Sequence, residues 1–436
     1  MPQGWKYTEM FDQTLPTSDT WWKEFHDPVL DSLISIGVEN NYDVLAAQRR
    51  IEMARQSLRQ IKAGYYPSLS FSGGWDAARS SGVTTNVSVP ATKSQYFDLG
   101  VDMSWQLDVF GKVRARARQG KAQVEVSRAE YAAMMVTVCS KIASAYMQMR
   151  TLQTELSVLD NHIAQQRRVA EITKARHEAG LASGLDVAQS LTTLYSTEAA
   201  KTSMENSLNS AINAIAVLTG TFPQNVSQSL TSEATMPDYH QIVAVGMPME
   251  LLRRRPDVAE AEYTLAGYAA ALGVAKKDFL PTLSLTGSIG TMSHKADKLF
   301  TQRSFTYSIA PTLSWTIFDG MSRSAAVAEA KQQMMAGIDN YNSTILTAVQ
   351  EVDNAMSSYY YQVQYIDMLE NVVDQAEKSF QLSIDLYKQG LTAFINVTNA
   401  QISYLTYSNE LIEARGQALT ALINLYEALG GGWSNE

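Results

Sequence analysis

The chain has 436 residues, of which 45% are hydrophobic and 18% charged, a balance typical of an ordered protein with a large buried core. Its net charge of −9, without a basic cluster, excludes nucleic acid as an expected partner. The one cysteine, Cys139, lies in an apolar helical run and predicts a buried free thiol rather than a disulfide. No apolar run reaches the length of about 18 residues that predicts a membrane-spanning helix.

The chain begins with an irregular stretch and continues as a helix. Residues 1–29 are rich in proline and predict an extended N-terminal segment. Residues 30–64 carry apolar side chains near helical spacing and predict one continuous helix. Gly64 and Pro67 end that helix before the first strand.

Four stretches alternate strictly between apolar and polar residues, the pattern of strands with one apolar face. The longest, 96–109, places six apolar side chains opposite polar ones: Leu99, Val101, Met103, Trp105, Leu107 and Val109. Similar runs predict two strand hairpins, over 66–110 and 280–319. One such run favours an ordinary half-buried sheet, whereas four with almost no charge on the apolar side favour contact with lipid. Four strands cannot close a membrane barrel, which needs about eight. If these strands face lipid, other copies of the chain must therefore close the edges.

Long helices follow each strand hairpin. Proline is absent from 91 to 222, and residues 112–179 are rich in strong helix formers. A continuous helix of that length would measure roughly 100 Å. Gly180 interrupts it, and a second helix over 185–218 completes a helical hairpin within 112–219. Residues 221–249 predict a connector, helix 251–279 follows, and a second helical hairpin over 321–429 is interrupted at Gly390.

These elements form one structural unit that occurs twice in the chain. Asp43-Val44 recurs 214 residues later at Asp257-Val258, and Gly180-Leu181 recurs 210 residues later at Gly390-Leu391. The predicted domains are therefore an N-terminal segment (1–29), a first repeat (30–220), an equatorial connector (221–249) and a second repeat (250–436). A period near 210 is too long for a solenoid and implies two quasi-equivalent copies in a larger ring.

The sequence resembles the TolC-type outer-membrane factors, in the lipoprotein branch that serves resistance–nodulation–division efflux pumps. The resemblance covers roughly 20–433. It rests on the internal duplication, on the Gly-Leu turn in each half, and on three short motifs: Leu251-Leu252 through Arg255-Pro256-Asp257, Asp108-Val109-Phe110-Gly111, and Phe318-Asp319-Gly320.

The resemblance implies an α+β membrane protein. It implies a homotrimer with a twelve-stranded outer-membrane β-barrel, four strands per chain, continuous with a long periplasmic α-helical barrel. The expected function is the passive outer-membrane exit channel of a tripartite pump, without catalytic residues, cofactors or metal sites. Its expected partners are a periplasmic adaptor (membrane fusion) protein, an inner-membrane transporter and outer-membrane lipid. A type I secretion duct and a copper or silver efflux channel are the alternatives within this class.

Carried over residue by residue, the resemblance assigns three groups of site residues. Gly180, Leu181, Gly390 and Leu391 match the adaptor-docking turns. Asp186, Tyr387, Asn396 and Asn399 match the periplasmic gate. Asp98, Asp102 and Asp108 would line the barrel lumen if the apolar strand face meets lipid, and they suggest a preference for cations.

Several of these positions carry a second interpretation or depart from the family. Asp186 is equally well explained as a helix cap, and Tyr387 as a core residue. Asn396 and Asn399 stand where relatives often carry aspartates, and Thr392 replaces a basic closing residue, so acidity at the tip would depend on Asp186. Lipoprotein members begin with an acylated cysteine, whereas this sequence opens Met-Pro-Gln-Gly-Trp. Either the sequence starts after that cysteine and a removed signal, or this member lacks the cysteine.

The sequence also fits a different class of protein. The same long helices would suit a soluble, elongated adaptor or scaffold whose strands form a small closed domain. The five histidines are scattered without zinc-ligand spacing, and the many methionines fit packing better than copper binding. The two classes can be distinguished because the channel should require detergent and form a trimer, whereas the soluble scaffold should not require detergent.

Overall fold

The architecture was analysed in a computed structural model of the chain, which describes residues 4–7, 9–15, 18–81, 91–230, 236–238, 242–250 and 254–433. In these ranges, no helix combines the length and the apolar character needed to cross a membrane.

The four alternating runs form one antiparallel sheet. Its strands are β2 (Ser68–Arg79), β3 (Lys93–Leu107), β5 (Thr282–Ser293) and β6 (Phe305–Ser314), in the order β2-β3-β5-β6. Each hairpin pairs its own two strands, and β3 joins the hairpins by pairing with β5. Both predicted hairpins are confirmed. The strands of the first extend closer to its loop than the sequence pattern indicated.

The register places the apolar residues of all four strands on one face. Val101 is opposite Phe71 on one side and opposite Ile289 on the other, and Ile289 is opposite Tyr307. Directly opposed residues of an antiparallel pair point to the same side, so these side chains form one continuous apolar surface. This face is exposed in the single chain, where Phe71 and Tyr307 are 71% and 74% accessible.

Both helical hairpins have the predicted bounds to within a few residues. The first consists of α3 (Lys112–Glu178) and α4 (Gly184–Leu218), and the second of α7 (Ser322–Lys388) and α8 (Phe394–Ala428). Between the two hairpins, the described residues include the helices α5 (Pro223–Leu230) and α6 (Pro256–Lys277). Helix α6 begins later than the predicted residue 251, and 251–253, including Leu251-Leu252 of the motif, lie outside the described residues.

The prediction of one helix over 30–64 was wrong. The structure has α1 (Pro28–Asn40) and α2 (Tyr42–Ala63), separated by the extended Asn41. The Asn41 side chain caps α2, because its Oδ1 accepts the Asp43 and Val44 amides at 2.8 and 3.2 Å. Asparagine favours such a cap over a helix interior, which explains the break.

A short parallel pair lies outside the main sheet. Strand β1 (Phe11–Asp12) pairs with β4 (Val243–Ala244), so the extended N-terminal segment is held against the connector region. The Trp5 indole N–H donates to the Gly246 carbonyl at 3.1 Å in the same region. The sequence contained no alternation long enough to predict this pair.

The chain forms two compact units, each drawn from both repeats. The first comprises 1–49, 128–259 and 343–436, and the second comprises 50–127 and 260–342. The main core of the first unit surrounds fully buried Trp21, Ile142 and Tyr426. The sheet belongs to the second unit. The division into repeats at 221–249 cuts across these units and remains a proposal about the origin of the chain.

Candidate functional site: hairpin turns and strand face

The first helical hairpin turns at Gly180-Leu181. Gly180 has φ +75°, and its amide donates to the His177 carbonyl at 2.9 Å. The Leu181 amide donates to the Arg176 carbonyl at 2.7 Å. This is a Schellman-type end, in which a left-handed residue lets the chain satisfy the last helical carbonyls. The Leu181 side chain projects into solvent and is 67% exposed.

The second hairpin repeats this turn. Gly390 has φ +76°, and its amide donates to the Tyr387 carbonyl at 2.9 Å. The Leu391 amide donates to the Leu386 carbonyl at 2.9 Å, and the Leu391 side chain is 69% exposed. The two Gly-Leu turns therefore present equivalent leucines on equivalent backbones.

The helices that follow the turns are capped differently. The Ser183 hydroxyl accepts the Asp186 amide at 3.1 Å, and the Asp186 carboxylate accepts the Ser183 amide at 3.1 Å, which is a reciprocal capping box. The equivalent N-cap of the second hairpin, Ala393, has no side-chain cap. Asn396 there donates instead to the Thr392 hydroxyl at 2.8 Å. Asp186 is thus a helix cap in this structure, as one of its two interpretations predicted.

Tyr387 is buried and is contacted from the other hairpin. The Arg176 guanidinium lies 4.8 Å from the centre of its ring, within cation–π range. Arg176 Nη1 also donates to the Lys388 carbonyl at 2.8 Å, at the end of α7. The Tyr387 hydroxyl and Arg176 Nε are buried without a hydrogen-bond partner among the described residues. This contact ties the end of α3 to the end of α7.

A small core supports this contact. Val169 of α3 packs with Phe380 and Tyr387 of α7 and with Phe394 and Val397 of α8. The Phe394 and Tyr387 rings are 5.3 Å apart. Asn396 and Asn399 lie on α8 with exposed side chains. The four predicted gate residues thus lie at the turn ends of the hairpins, but Asp186 and Tyr387 share no hydrogen bond within the chain.

The three predicted lumen aspartates do not form one group. Asp98 and Asp102 lie on β3, on the face opposite the apolar one, where Asp102 accepts the Ser72 hydroxyl at 2.9 Å. Asp108 follows the end of β3, and its carboxylate accepts the Val113 and Arg114 amides at 2.8 and 3.0 Å. Asp108 therefore caps α3, and its assignment to a strand was wrong, because the alternating pattern continues into the cap.

Sequence reasoning missed two residues of the hairpin ends. Ser183 stands three residues before Asp186, and this spacing of a capping box could have found it. Arg176 carries no local signal, because its partners Tyr387 and Lys388 lie more than 200 residues away in sequence.

The duplicated chain contains two strand hairpins and two helical hairpins, and each helical hairpin consists of one helix of 67 residues and one of 35. Together with the exposed apolar face of the sheet, these features define the class of the outer-membrane channels. The model of the family "Outer membrane efflux protein" matches residues 33–221 and 247–431. The chain belongs to this family.

Two relatives are similar to this chain along almost its whole length. The chain is 28% identical over 435 residues to the probable efflux pump outer membrane protein TtgC of Pseudomonas putida, covering 99% of this chain and 89% of the relative. It is 26% identical over 416 residues to nodulation protein T of Rhizobium leguminosarum bv. trifolii, covering 95% and 88%.

Solved structures of outer-membrane channels have the same fold as this chain. The outer-membrane channel OprN superposes with a TM-score of 0.92 at 26% identity, covering 99% of this chain and 97% of that one. VceC of Vibrio cholerae gives a TM-score of 0.86 at 23% identity, covering 96% and 100%, and shows the shared fold. The predicted fold class, the outer-membrane location and the role of an efflux channel are confirmed.

Proposed function

We propose that three copies of this chain form the passive exit channel of a tripartite pump of the resistance–nodulation–division type. One observation carries the trimer: in the described residues, β2 and β6 each pair on one side only. Unsatisfied backbone groups cost several kcal/mol each in lipid, so an open sheet cannot persist there. Three chains supply twelve strands and close every edge.

The long helices support the same assembly. Leu346, Met368 and Leu382 of α7 are 72%, 67% and 63% exposed in the single chain. Large apolar side chains repeated along one exposed helix are typical of a surface that another subunit covers. In the proposed trimer, the helical hairpins of neighbouring chains bury these residues, and the helices enclose the periplasmic part of the duct.

The two Gly-Leu turns are the proposed docking points for a periplasmic adaptor. Leu181 and Leu391 are exposed on turns whose backbone is fixed by hydrogen bonds, so docking would immobilise little additional chain. A trimer presents six such leucines, which suits an adaptor with several copies of one binding motif.

The proposed gate lies beside these turns. Asp186, Asn396 and Asn399 would narrow the opening where three chains meet, and Asp186 would supply its fixed charge. Tyr387 would act through packing, because its ring lies beneath Arg176 and its hydroxyl has no hydrogen-bond partner in the described chain. The contact of Arg176 with Tyr387 and Lys388 would hold the hairpins together in the closed state.

The proposed substrates are drugs or other small organic molecules. Relatives at 28% identity are named as toluene and antibiotic efflux proteins, and this favours organic molecules over metal ions or polypeptides. The channel itself would select weakly and would carry no catalytic residue.

Three measurements test the proposal. Light scattering of the detergent-solubilised protein should give three chains per particle, and bilayer recordings should give channels. Leu181→Cys and Leu391→Cys should crosslink to the adaptor, whereas Leu346→Cys should not. Native Cys139 is buried, and burial raises its pKa to about 12, so it will not compete for reagent. A monodisperse monomer that is stable without detergent would refute the proposal.

A further inference from the structure

The loop end of the strand sheet carries a group of basic side chains that outnumber the acidic ones. Arg79 and Lys93 are directly opposite each other at the loop end of the first strand hairpin. Like charges facing each other across a strand pair destabilise the sheet unless an anion lies between them. In the described chain, no carboxylate lies within ion-pair distance of either residue. The loop between them, residues 80–92, contains no acidic residue in its sequence.

These two cations share a face with the apolar side chains. Along β3, Lys93 is followed at alternate positions by Gln95, Phe97, Leu99 and Val101, all on one side. Acidic side chains occupy the opposite side, where Asp76 is opposite Tyr96 and Asp98 is opposite Gly74. Charge is therefore segregated by face, with the basic pair at the rim of the apolar surface.

Aromatic rings separate the cations from the rest of the apolar face. Trp75 and Phe97 stack with ring centres 6.2 Å apart, and Trp75 lies four residues before Arg79. At about 3.4 Å per residue, Arg79 lies roughly 14 Å beyond this stack. Aromatic rings followed by basic residues are the sequence of groups that membrane proteins place at the hydrocarbon edge and the headgroup layer.

The second hairpin adds cations at the same end. Lys295, Lys298 and Arg303 lie in its loop, are exposed, and are accompanied between 294 and 304 by one acid, Asp297. The His294 ring hydrogen-bonds the Gln95 carbonyl at 2.6 Å, so this loop is held beside β3. Arg79, Lys93 and the second loop lie at the end of the hairpins that is not joined to a helix, which in an outer-membrane protein is the outer-leaflet end.

We propose that this end, defined by Arg79, Lys93, Lys295, Lys298 and Arg303, is a binding site for the phosphorylated glycolipid of the outer leaflet. Its acyl chains would lie on the apolar face beside Phe97 and Trp75. Its phosphates would be bound between Arg79 and Lys93, where they relieve the repulsion of the pair. This site has no part in conduction, and it would hold the glycolipid against the outer surface of the channel.

Retained lipid can be counted directly on the intact trimer. Native mass spectrometry would compare diphosphoryl lipid A with phosphatidylethanolamine, both supplied in mixed micelles. The wild type should retain lipid A preferentially. The double variant Arg79→Gln/Lys93→Gln should bind it about 30-fold more weakly, from about fivefold for each of the two basic residues near a lipid headgroup. Inorganic phosphate in large excess should not displace the lipid, because the apolar face contributes to binding.

A matched control removes two exposed cations of the helices. The double variant Lys62→Gln/Lys331→Gln loses the same charge on helices, outside the loop end of the strand hairpins, and should bind like the wild type. If the first variant fails to assemble, Arg79→Lys/Lys93→Arg, which keeps both charges, should restore assembly and lipid A binding. Equal retention of both lipids by the wild type, equal losses in both double variants, or displacement by inorganic phosphate would overturn the proposal. Bilayer conductance of the same samples reports separately on the channel.

Discussion

Asn41 and Arg255 make equivalent contacts in the two repeats. Asn41 Nδ2 donates to the Leu218 carbonyl at 2.9 Å, and Arg255 Nη1 donates to the Ala428 carbonyl at 2.9 Å. The donors are separated by 214 residues and the acceptors by 210, which are the offsets of the sequence repeat. In each half, a buried side chain before a helix therefore satisfies the end of the last helix of the hairpin.

The two contacts should differ in strength. Arg255 is 8% exposed and forms ion pairs with Asp257 at 2.7 Å and Glu351 at 2.6 Å. Arg255→Ala removes hydrogen bonds that involve charged groups, worth about 1.5–3 kcal/mol each, but leaves Asp257 and Glu351 partly exposed to water, so it should cost about 3 kcal/mol. Asn41→Ala, which removes a cap and one hydrogen bond, should cost about 1–2 kcal/mol. Thermal unfolding of the detergent-solubilised trimer should rank them in that order. Exposed Lys378→Ala is the control, and a similar Tm for all three variants would contradict the ranking.

The glycines after these helices should resist substitution. A Cβ on Gly220 would lie 2.3 Å from the Asn40 carbonyl oxygen, and one on Gly430 would lie 2.9 Å from that of Arg254. Both glycines have positive φ, so alanine would add backbone strain to the clash. We expect Gly220→Ala to abolish the assembled trimer on gel filtration. Gly273→Ala, in the open interior of α6, should be neutral or stabilising, and tolerance of both changes would refute the argument.

Removing the Arg176 guanidinium should open the hairpin ends. Arg176→Met loses a cation–π contact of about 0.5–1 kcal/mol and a charged hydrogen bond of about 1.5–3 kcal/mol. We expect larger single-channel conductance and greater sensitivity of cells to bulky antibiotics. Lys174→Met removes an exposed charge two residues away and should behave like the wild type. Unchanged conductance in both variants would exclude Arg176 as a closing contact.

Two substitutions separate the charge of Asp186 from its capping role. Asp186→Asn removes the charge and keeps an oxygen that can cap, whereas Ser183→Ala weakens the cap by about 1 kcal/mol and keeps the charge. Block of the channel by divalent or trivalent cations should fall in Asp186→Asn and persist in Ser183→Ala. Strong block that persists without the Asp186 carboxylate would place the acidic site elsewhere.

Glu155 should make stability depend on pH. Burial, with a smaller contribution from the charge of Glu413, raises the pKa of Glu155 to about 7. The folded state therefore binds this proton more tightly than the unfolded chain, and its stabilising effect is complete below about pH 4.3 and lost as pH rises through 7. The Tm of the wild type should fall more than that of Glu155→Gln between pH 5 and 8, because only the wild type has this proton to lose. Parallel profiles would contradict this assignment.

Local patterns determined much of this protein from the sequence alone. Alternation along 96–109 predicted a strand with one apolar face, because side chains in a strand point to opposite sides in turn. Gly180 and Gly390 fixed the hairpin turns, because a left-handed helix end favours glycine. The repeated order of these signals gave the duplication, and the resemblance built on it gave the class of protein.

Contacts between residues distant in sequence were decided by the tertiary structure. Arg176 meets Tyr387, β1 meets β4, and β3 meets β5 across intervals that no local pattern spans. Asp108 and Asn41 were misread because one polar side chain fits a strand, a helix or a cap, and its hydrogen-bond partners decide among them. Backbone geometry follows from short-range sterics, whereas side-chain partners depend on which helices and strands the whole fold brings together.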